Sequence, residues 1–281
     1  MKENDFVISG YGVRVPKIIY GTAWKKDRTA ALVEQAITLG FRGIDTAGQP
    51  RHYDEAGVGT GSARCLSGEL TRADIYLQSK FTPVNGQDPK RMPYDPKASL
   101  SEQVAQSFQI SLNNLQTNYL DCLVLHSPLA NQQHTMEVWQ TMEAIFNAGG
   151  AKQLGLSNCY ELEQLEQLYR KAKIKPAVVQ NRFYADTQYD REIRAFCRQR
   201  QILYQSFWTL TANPNVVAHG TVQALASKYQ RTPAQIFFRY LTQVDIIPLT
   251  GTTSQAHMRE DLAIFDFELT QNECDSVATL L

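Results

Sequence analysis

Residues 99–126 read SLSEQVAQSFQISLNNLQTNYLDCLVLH and contain both kinds of element from which the chain is built. Apolar residues recur at helical spacing in the first part, at Leu100, Val104, Phe108, Leu112 and Leu115. Ser99 and Glu102 form a capping-box pattern, so we predict a helix over 99–115. The following run, 119–126, is short and mostly apolar, which is typical of a strand buried on both faces of a parallel sheet.

The same alternation continues on both sides of this stretch. Seven further apolar runs predict strands at 17–21, 43–47, 75–80, 152–158, 177–181, 202–207 and 245–250. Helical periodicity is clear between them at 29–39, 161–172 and 232–241. Eight strands separated by helices in about 250 residues are characteristic of a barrel, whereas a doubly wound sheet would need fewer strands or a second domain. We therefore predict an α/β fold, a (β/α)8 TIM barrel.

The chain before the first barrel strand predicts a small extra element. Residues 6–16, FVISGYGVRVP, alternate around a Gly-rich turn, which indicates a β-hairpin that closes the bottom of the barrel. No linker or low-complexity tract interrupts the remaining sequence. We predict one domain over 1–281, with the hairpin in 1–16 and the barrel and a C-terminal helix in 17–281.

Composition excludes several classes of protein. Lys and Arg number 28, as do Asp and Glu, and this zero net charge removes the electrostatic basis for nucleic-acid binding. No apolar stretch approaches the length of a membrane span or a signal peptide. The five cysteines are dispersed, so neither a disulfide framework nor a metal motif is indicated. We expect a cytoplasmic monomer with reduced thiols, without nucleic-acid or membrane partners.

Reactive groups of such barrels stand where the strands end. The residues at or just beyond the predicted strand ends are Thr22, Asp45, Lys80, His126, Ser157, Asn158, Gln180, Ser206 and Phe207. Only one of them is a carboxylate, which disfavours a glycosidase because that chemistry usually needs two. The five histidines are dispersed and only one ends a strand, so we expect no metal site.

Four of the candidate side chains suggest a proton-transfer site. Tyr53 lies just beyond the second strand, and a nearby Lys80 ammonium would lower the pKa of its phenol from the ordinary value near 10. Asp45 would pair with Lys80 and orient it. His126 could donate a hydrogen bond to a carbonyl oxygen and share in proton delivery. Together they predict the protonation of an alkoxide.

Seven segments resemble the aldo-keto reductases in order and spacing between about residues 18 and 270. They are GFRGIDTA, YDEAGVG, IYLQSK, SLNNLQTNYLDCLVLHSP, GLSN, VVQNRFY and RTPAQIFFRYL. The resemblance implies reduction of small aldehydes or ketones with NADP(H) preferred and NAD(H) as the alternative cofactor. It implies Tyr53 as the acid, supported by Asp45, Lys80 and His126. A catalytically weak dinucleotide-binding or structural protein on the same fold is the second hypothesis, which the complete set of four disfavours.

The resemblance also implies cofactor contacts. Ser157, Asn158 and Gln180 would bind the nicotinamide carboxamide and Phe207 would stack on its ring, while Thr22 and Ser206 complete this group of expected cofactor residues. Residues 57–62, GVGTGS, lack the third glycine of a Rossmann fingerprint and follow no strand.

Three departures from the family pattern stand out. The interval from Asp45 to Tyr53 is eight residues, longer than usual, as in a branch with a Gln-x-x-His-Tyr segment. The usual Ile-Pro-Lys-Ser reads IPLT at 247–250, so its lysine is missing. A phosphate would instead meet a cluster at a helix N-terminus, formed by Thr252, Thr253, His257 and Arg259. The substrate loops are short, and an apolar, aromatic-accepting pocket would be lined by Trp24, Phe81, Ser127 and Trp208.

Overall fold

The computed structural model describes residues 1–66 and 69–281. Strands β1 (Phe6–Ile8) and β2 (Arg14–Pro16) pair antiparallel in a hairpin. Eight parallel strands follow and close into a barrel in the order β10-β3-β4-β5-β6-β7-β8-β9. Their bounds are β3 (Ile19–Gly21), β4 (Gly43–Asp45), β5 (Tyr76–Phe81), β6 (Cys122–Leu125), β7 (Leu154–Ser157), β8 (Val178–Arg182), β9 (Leu203–Phe207) and β10 (Ile246–Thr250). The predicted barrel and N-terminal hairpin are confirmed.

Helices connect the strands around the outside of the barrel. They are α1 (Thr29–Leu39), α2 (Glu55–Cys65), α3 (Leu100–Leu115), α4 (Gln132–Asn147), α5 (Leu162–Lys171), α6 (Arg191–Gln199), α7 (Pro214–Ala218), α8 (Gly220–Tyr229), α9 (Pro233–Gln243), α10 (Gln255–Leu262) and α11 (Gln271–Ala278). The capping box of Ser99 and Glu102 forms at the start of α3 as predicted. No helix in the described part of the chain is both long and apolar enough to cross a membrane.

The glycines at 57–62 serve helix packing, because this segment lies within α2. A Cβ atom on Gly59 would come within 2.1 Å of the Asn114 carbonyl oxygen of α3. One on Gly61 would come within 2.4 Å of the Ala30 carbonyl oxygen of α1. The missing side chains therefore let α2 approach both neighbours closely.

The barrel interior is apolar at the bottom and polar above. Val13 and Val15 of the hairpin join a buried cluster with Ile19, Tyr76 and Val178 of the barrel strands. A polar layer follows towards the C-terminal ends of the strands, where Gln78 of β5 donates to Gln205 of β9 across the barrel at 2.8 Å. The hairpin thus closes one end, and polar side chains lead from the middle to the other.

Candidate active site

A cavity of about 910 Å³ opens at the C-terminal end of the barrel strands. Its walls include most of the side chains predicted from the strand ends and from the family pattern: Trp24, Asp45, Tyr53, His126, Ser157, Asn158, Gln180, Phe207, Trp208, Thr252 and His257. Because the strands end at the same rim of the barrel, residues far apart in the chain meet here.

Asp45 and Lys80 form a fully buried ion pair at the floor of the cavity. Lys80 Nζ lies 2.6 Å from Asp45 Oδ1 and 2.9 Å from the Thr46 carbonyl oxygen. The two side chains are 3% and 1% exposed, respectively. A lysine so deeply buried is held in place by these partners, because an unpaired ammonium in this position would be strongly destabilising.

The long interval before Tyr53 is taken up by a turn. The Gln49 carbonyl oxygen accepts hydrogen bonds from the backbone N–H groups of both His52 and Tyr53, each at 3.0 Å. Gly48 donates its N–H to the Lys80 carbonyl oxygen at 2.9 Å, so the loop lies against β5. The extra residues therefore bulge outward while Tyr53 returns to the cavity.

Glu55 anchors the far side of this loop. Its carboxylate accepts hydrogen bonds from the hydroxyls of Ser79 on β5 and Ser111 on α3. Burial raises the pKa of Glu55, and the two serine hydroxyls oppose that shift. Because Glu55 lies two residues after Tyr53, this buried carboxyl group limits how far the Tyr53 backbone can move.

Tyr53 lies next to both of its expected partners. Lys80 Nζ is 5.3 Å from the centroid of the Tyr53 ring, and the Tyr53 and His126 ring centroids are 6.0 Å apart in an edge-on arrangement. Burial, and then the negative charge of Asp45, raise the pKa of the Tyr53 phenol above its ordinary value. The lowered pKa expected from the sequence is therefore wrong. Asp45 lies 2.6 Å from Lys80 Nζ and offsets much of its charge. The cost of desolvating a phenolate is then larger than the stabilisation that the remaining Lys80 charge provides.

His126 is held as a neutral imidazole. Burial, followed by the charge of Lys80, lowers its pKa well below the ordinary value. Its Nδ1 lies 2.6 Å from the Thr82 hydroxyl oxygen. When that hydroxyl donates to Nδ1, the proton of the neutral ring sits on Nε2, which leaves Nε2–H as a donor for an oxygen in the cavity.

A network of buried amides beneath Asp45 was not predicted from the sequence. Asp45 Oδ1 accepts from Gln78 Nε2 at 2.6 Å and from Gln180 Nε2 at 3.0 Å, in addition to Lys80. Both amides also donate to Gln205 Oε1, at 2.8 and 2.9 Å. The sequence carries a signal for these two glutamines. Gln78 lies two residues before Lys80 and Gln205 two residues before Phe207, so each points to the same inward side as the predicted site residue at its strand end.

The nicotinamide residues implied by the family resemblance lie together on one wall. The Asn158 side-chain amide donates to the His126 carbonyl oxygen at 2.8 Å, and the Ser157 hydroxyl donates to the Gln180 carbonyl oxygen at 2.7 Å. Asn158 has a left-handed backbone conformation with a φ of 52°, and Trp24 beyond β3 and Trp208 after β9 are also left-handed. Such conformations are unfavourable for tryptophan, and strained backbone of this kind clusters at functional sites.

Several predicted site residues do not line this cavity. Phe81 is 2% exposed and packs on Tyr94 outside the barrel, because side chains alternate along β5 and Lys80 takes the inward position. Ser206 likewise lies between two inward residues of β9 and accepts from the Thr209 hydroxyl at 2.9 Å. Thr22 is fully buried and donates to the Asp45 carbonyl oxygen at 2.9 Å. Four others are also absent from the cavity wall: Ser127, Thr253, Arg259 and Lys80, which reaches the site through its pair with Asp45.

Two basic residues on the cavity wall were missed by sequence reasoning. Lys25 is 8% exposed and donates to the Gly251 carbonyl oxygen beyond β10, close to where the family lysine is missing. Its place directly after the first barrel strand could have drawn attention to it. Arg182, the last residue of β8, reaches the opposite part of the wall beside Trp208.

A phenol that keeps its proton beside a buried lysine and a neutral imidazole can protonate an oxygen atom that has just gained electrons. This chemistry, at the strand ends of a parallel barrel, is that of a carbonyl-reducing barrel enzyme. Residues 17–281 match the sequence model of the Aldo/keto reductase family, and the chain belongs to this family. It is an oxidoreductase of aldehydes or ketones.

Individual relatives agree with this membership. The chain is similar to the NADPH-dependent alpha-keto amide reductase of Saccharomyces cerevisiae, with 28% identity over 302 residues that cover 99% of this chain and 91% of the relative. An aldo/keto reductase structure from Brucella melitensis matches with a TM-score of 0.83 and 26% identity over 98% and 99% of the two chains. A Bombyx mori aldo-keto reductase in complex with NADP matches with a TM-score of 0.82 and 25% identity over 98% and 92%.

Proposed function

We propose that this protein reduces aldehydes or ketones to alcohols with NADPH, and that Tyr53 is the proton donor. The observation that carries the proposal is the position of Tyr53, with its ring 5.3 Å from the Lys80 ammonium of a buried Asp45–Lys80 pair and in edge contact with His126. Neutral His126 would direct the carbonyl oxygen through a hydrogen bond. These residues act together on one oxygen atom.

The cavity wall suits a dinucleotide by its chemistry. Ser157, Asn158 and Gln180 provide hydroxyl and amide groups that match a carboxamide, and Phe207 offers a flat ring beside them. Lys25 and His257 place basic groups on the part of the wall beyond β3 and β10, where the phosphates would lie. Together, these residues would hold a reduced nicotinamide, which would supply the hydride for the carbonyl carbon. The wall residues fix its orientation, which is worth several orders of magnitude in rate.

The raised pKa of Tyr53 is compatible with its role as an acid. A phenol with a raised pKa stays protonated throughout the neutral pH range. The substrate oxygen becomes an alkoxide as the carbon accepts a hydride, and an alkoxide is a much stronger base than a phenolate. Tyr53 therefore gives up its proton to that oxygen, and the Lys80 charge stabilises the phenolate that remains.

We further propose a preference for NADPH, a cytoplasmic location and a monomeric state. Lys25 and the exposed Arg259 supply positive charge for a 2'-phosphate in place of the missing family lysine, and the His257 ring offers a further polar contact. The yeast relative is named as NADPH-dependent, and the silkworm structure is a complex with NADP. The five cysteines are free, as expected of a reducing compartment. Fluorescence titration of NADPH against NADH and light scattering of the purified protein test the first and last points.

Tyr53→Phe tests the assignment of the acid. We expect the variant to lose at least about 100-fold in kcat, because general acid catalysis contributes that much, while it binds NADPH as the wild type does. Tyr119→Phe is the matched control, since the Tyr119 ring also lies near two cations, Arg72 and Lys152, but at the other end of the barrel. Turnover of Tyr53→Phe equal to that of Tyr119→Phe would refute Tyr53 as the acid.

A further inference from the structure

Arg182 is a charged residue of the cavity wall for which the reduction chemistry gives no role. It is the last residue of β8 and lies two positions after Gln180, so both side chains belong to the inward face of the strand. Gln180 reaches down to Asp45 Oδ1 at 3.0 Å. Arg182 therefore lies one layer higher, at the mouth of the cavity.

The guanidinium is held by aromatic rings and by no acid. Its central carbon lies 4.3 Å from the centroid of the Trp208 ring and 5.4 Å from that of Tyr184. Among residues 1–66 and 69–281, no carboxylate forms an ion pair with it. Its Nε is buried and has no hydrogen-bond partner in the part of the chain that the structure describes. Stacking leaves the planar edge of the guanidinium available, and that edge matches a carboxylate with two parallel hydrogen bonds.

The backbone at Arg182 is tied to the catalytic wall. Its N–H donates to the Tyr160 hydroxyl oxygen at 3.1 Å, and that hydroxyl donates to Asn158 Oδ1 at 3.2 Å. Asn158 in turn donates to the His126 carbonyl oxygen at 2.8 Å. The position of the guanidinium is thus coupled through three hydrogen bonds to the residue that would direct the carbonyl group.

Arg182 is also separate from the basic residues that would meet cofactor phosphates. Lys25 follows β3, and His257 lies after β10, and these two strands are neighbours in the barrel. Arg182 ends β8, and β9 lies between β8 and β10. Its charge is therefore left for a group that the substrate carries.

We propose that Arg182 binds a carboxylate of the carbonyl substrate, so that the preferred substrates are oxo acids and aldehyde acids. This inference rests on the proposed reductase function of the same cavity. It changes the apolar, aromatic-accepting pocket expected from the sequence into one with an aromatic wall and a cation at its mouth. Trp208, which is 48% exposed, forms that wall and presents its indole to both the guanidinium and the ligand.

The test compares 4-formylbenzoate with its neutral methyl ester in wild type, Arg182→Met and Arg182→Lys. Loss of a charge-assisted bidentate contact should lower kcat/KM of Arg182→Met for 4-formylbenzoate about 10- to 100-fold, mainly through KM. The value for the ester should change less than about 3-fold. Arg182→Lys keeps the charge but lacks the two parallel donors of the guanidinium, so its kcat/KM for 4-formylbenzoate should lie between those of wild type and Arg182→Met. Arg170→Met, which alters an exposed arginine of α5, is the control and should change neither value.

Two binding measurements separate this inference from the reductase proposal. The NADPH affinity of Arg182→Met should equal that of wild type. If the variant binds NADPH more weakly and loses kcat/KM equally for the acid and the ester, Arg182 contacts the cofactor and the proposal is overturned. Titration with 4-(hydroxymethyl)benzoate, followed by tryptophan fluorescence, reports on the carboxylate site without turnover. If the wild type binds this alcohol and Arg182→Met does not, but the wild type reduces neither aldehyde, the carboxylate site is supported and the reductase proposal is contradicted. Absence of binding, or reduction of the ester alone by wild type, would overturn the carboxylate site.

Discussion

The two ends of the barrel each hold a buried aspartate with basic partners, but they differ in the burial of the cation. At the upper end Asp45 pairs with Lys80, whose side chain is 1% exposed. At the lower end Asp121 pairs with Arg72 at 2.8 Å and Lys152 at 2.9 Å, whose side chains are 19% and 45% exposed. Asp121 also accepts from the Leu77 backbone N–H at 3.0 Å, which ties β6 to β5.

This difference fits the proposed role of the upper pair in chemistry and a role of the lower pair in the fold. The lower cations keep contact with water and cross-link elements around the end of the barrel, so their desolvation is modest. The upper lysine loses its hydration entirely. Because this desolvation is costly, a buried ion pair contributes little net stability to the fold even when it is well paired. A fully buried cation beside a phenol and an imidazole is instead typical of a reaction site.

The largest expected effect follows from removing the upper cation. Lys80→Met should lower kcat about 100- to 10,000-fold, because the Tyr53 phenolate loses the charge that stabilises it during proton transfer. Lys152→Met at the lower end is the matched control. It should leave kcat unchanged and alter the free energy of unfolding by no more than about 1 kcal/mol. Steady-state kinetics and urea denaturation measure both, and a Lys80→Met enzyme with a tenth of wild-type kcat would break the comparison.

The reverse pattern is expected when the lower aspartate is removed. Asp121→Ala should lower the free energy of unfolding by about 3 kcal/mol, because Arg72 and the Leu77 N–H lose their acceptor in a buried setting. The enzyme that remains folded should keep kcat/KM within about 3-fold of wild type. Denaturant titration and kinetics below the transition check this pair of outcomes. Large kinetic damage with little loss of stability would contradict the assignment of this end to the fold.

A third buried aspartate has no basic partner within ion-pair distance among the described residues, and it sharpens the comparison. Asp261 accepts from the Thr250 hydroxyl at 2.7 Å, and burial raises its pKa to about 6. The folded state therefore binds more protons than the unfolded state between about pH 4 and pH 6, so stability falls as pH rises through this range. Asp261→Asn should remove this fall and be more stable than wild type by roughly 3 kcal/mol at pH 8, with no difference near pH 4. Thermal or urea unfolding at both pH values decides it; equal stability at pH 8 would show that the carboxylate is adequately solvated.

The smallest effect concerns the amide layer beneath the upper pair. Gln78→Leu removes one donor to Asp45 and the acceptor of the Gln205 Nε2 group, so we expect a loss of about 2 kcal/mol in stability and about 5-fold in kcat. Gln153→Leu is the control, because the Gln153 side chain is equally buried but, among the described residues, bonds to the Tyr76 hydroxyl alone, at 3.3 Å. It should reduce stability without changing kcat. Equal kinetic effects of the two variants would show that the amide layer does not position Asp45.

Much of the site could be predicted because strand ends can be located from apolar runs. Asp45, Lys80 and His126 each end such a run, and the structure brings Asp45 and His126 to the cavity wall with Lys80 bonded to Asp45. The Gln78–Gln205 contact could not be predicted, since it joins β5 to β9 across the barrel and no pattern states which inward side chains meet. Phe81 was misplaced for a related reason, because its proximity to Lys80 in sequence hides its opposite direction on the strand.

The sequence by itself determined the barrel and its hairpin and was enough to nominate Tyr53 as the proposed acid with the ion pair and the imidazole beside it, because periodicity and residue chemistry are local properties. The tertiary structure alone decided the protonation of Tyr53, since the pKa depends on how far Asp45 offsets Lys80 and on how completely water is excluded. It likewise decided that Arg182 lies over Trp208 with no acid beside it in residues 1–66 and 69–281, because the surroundings of a cation are a property of the fold in three dimensions.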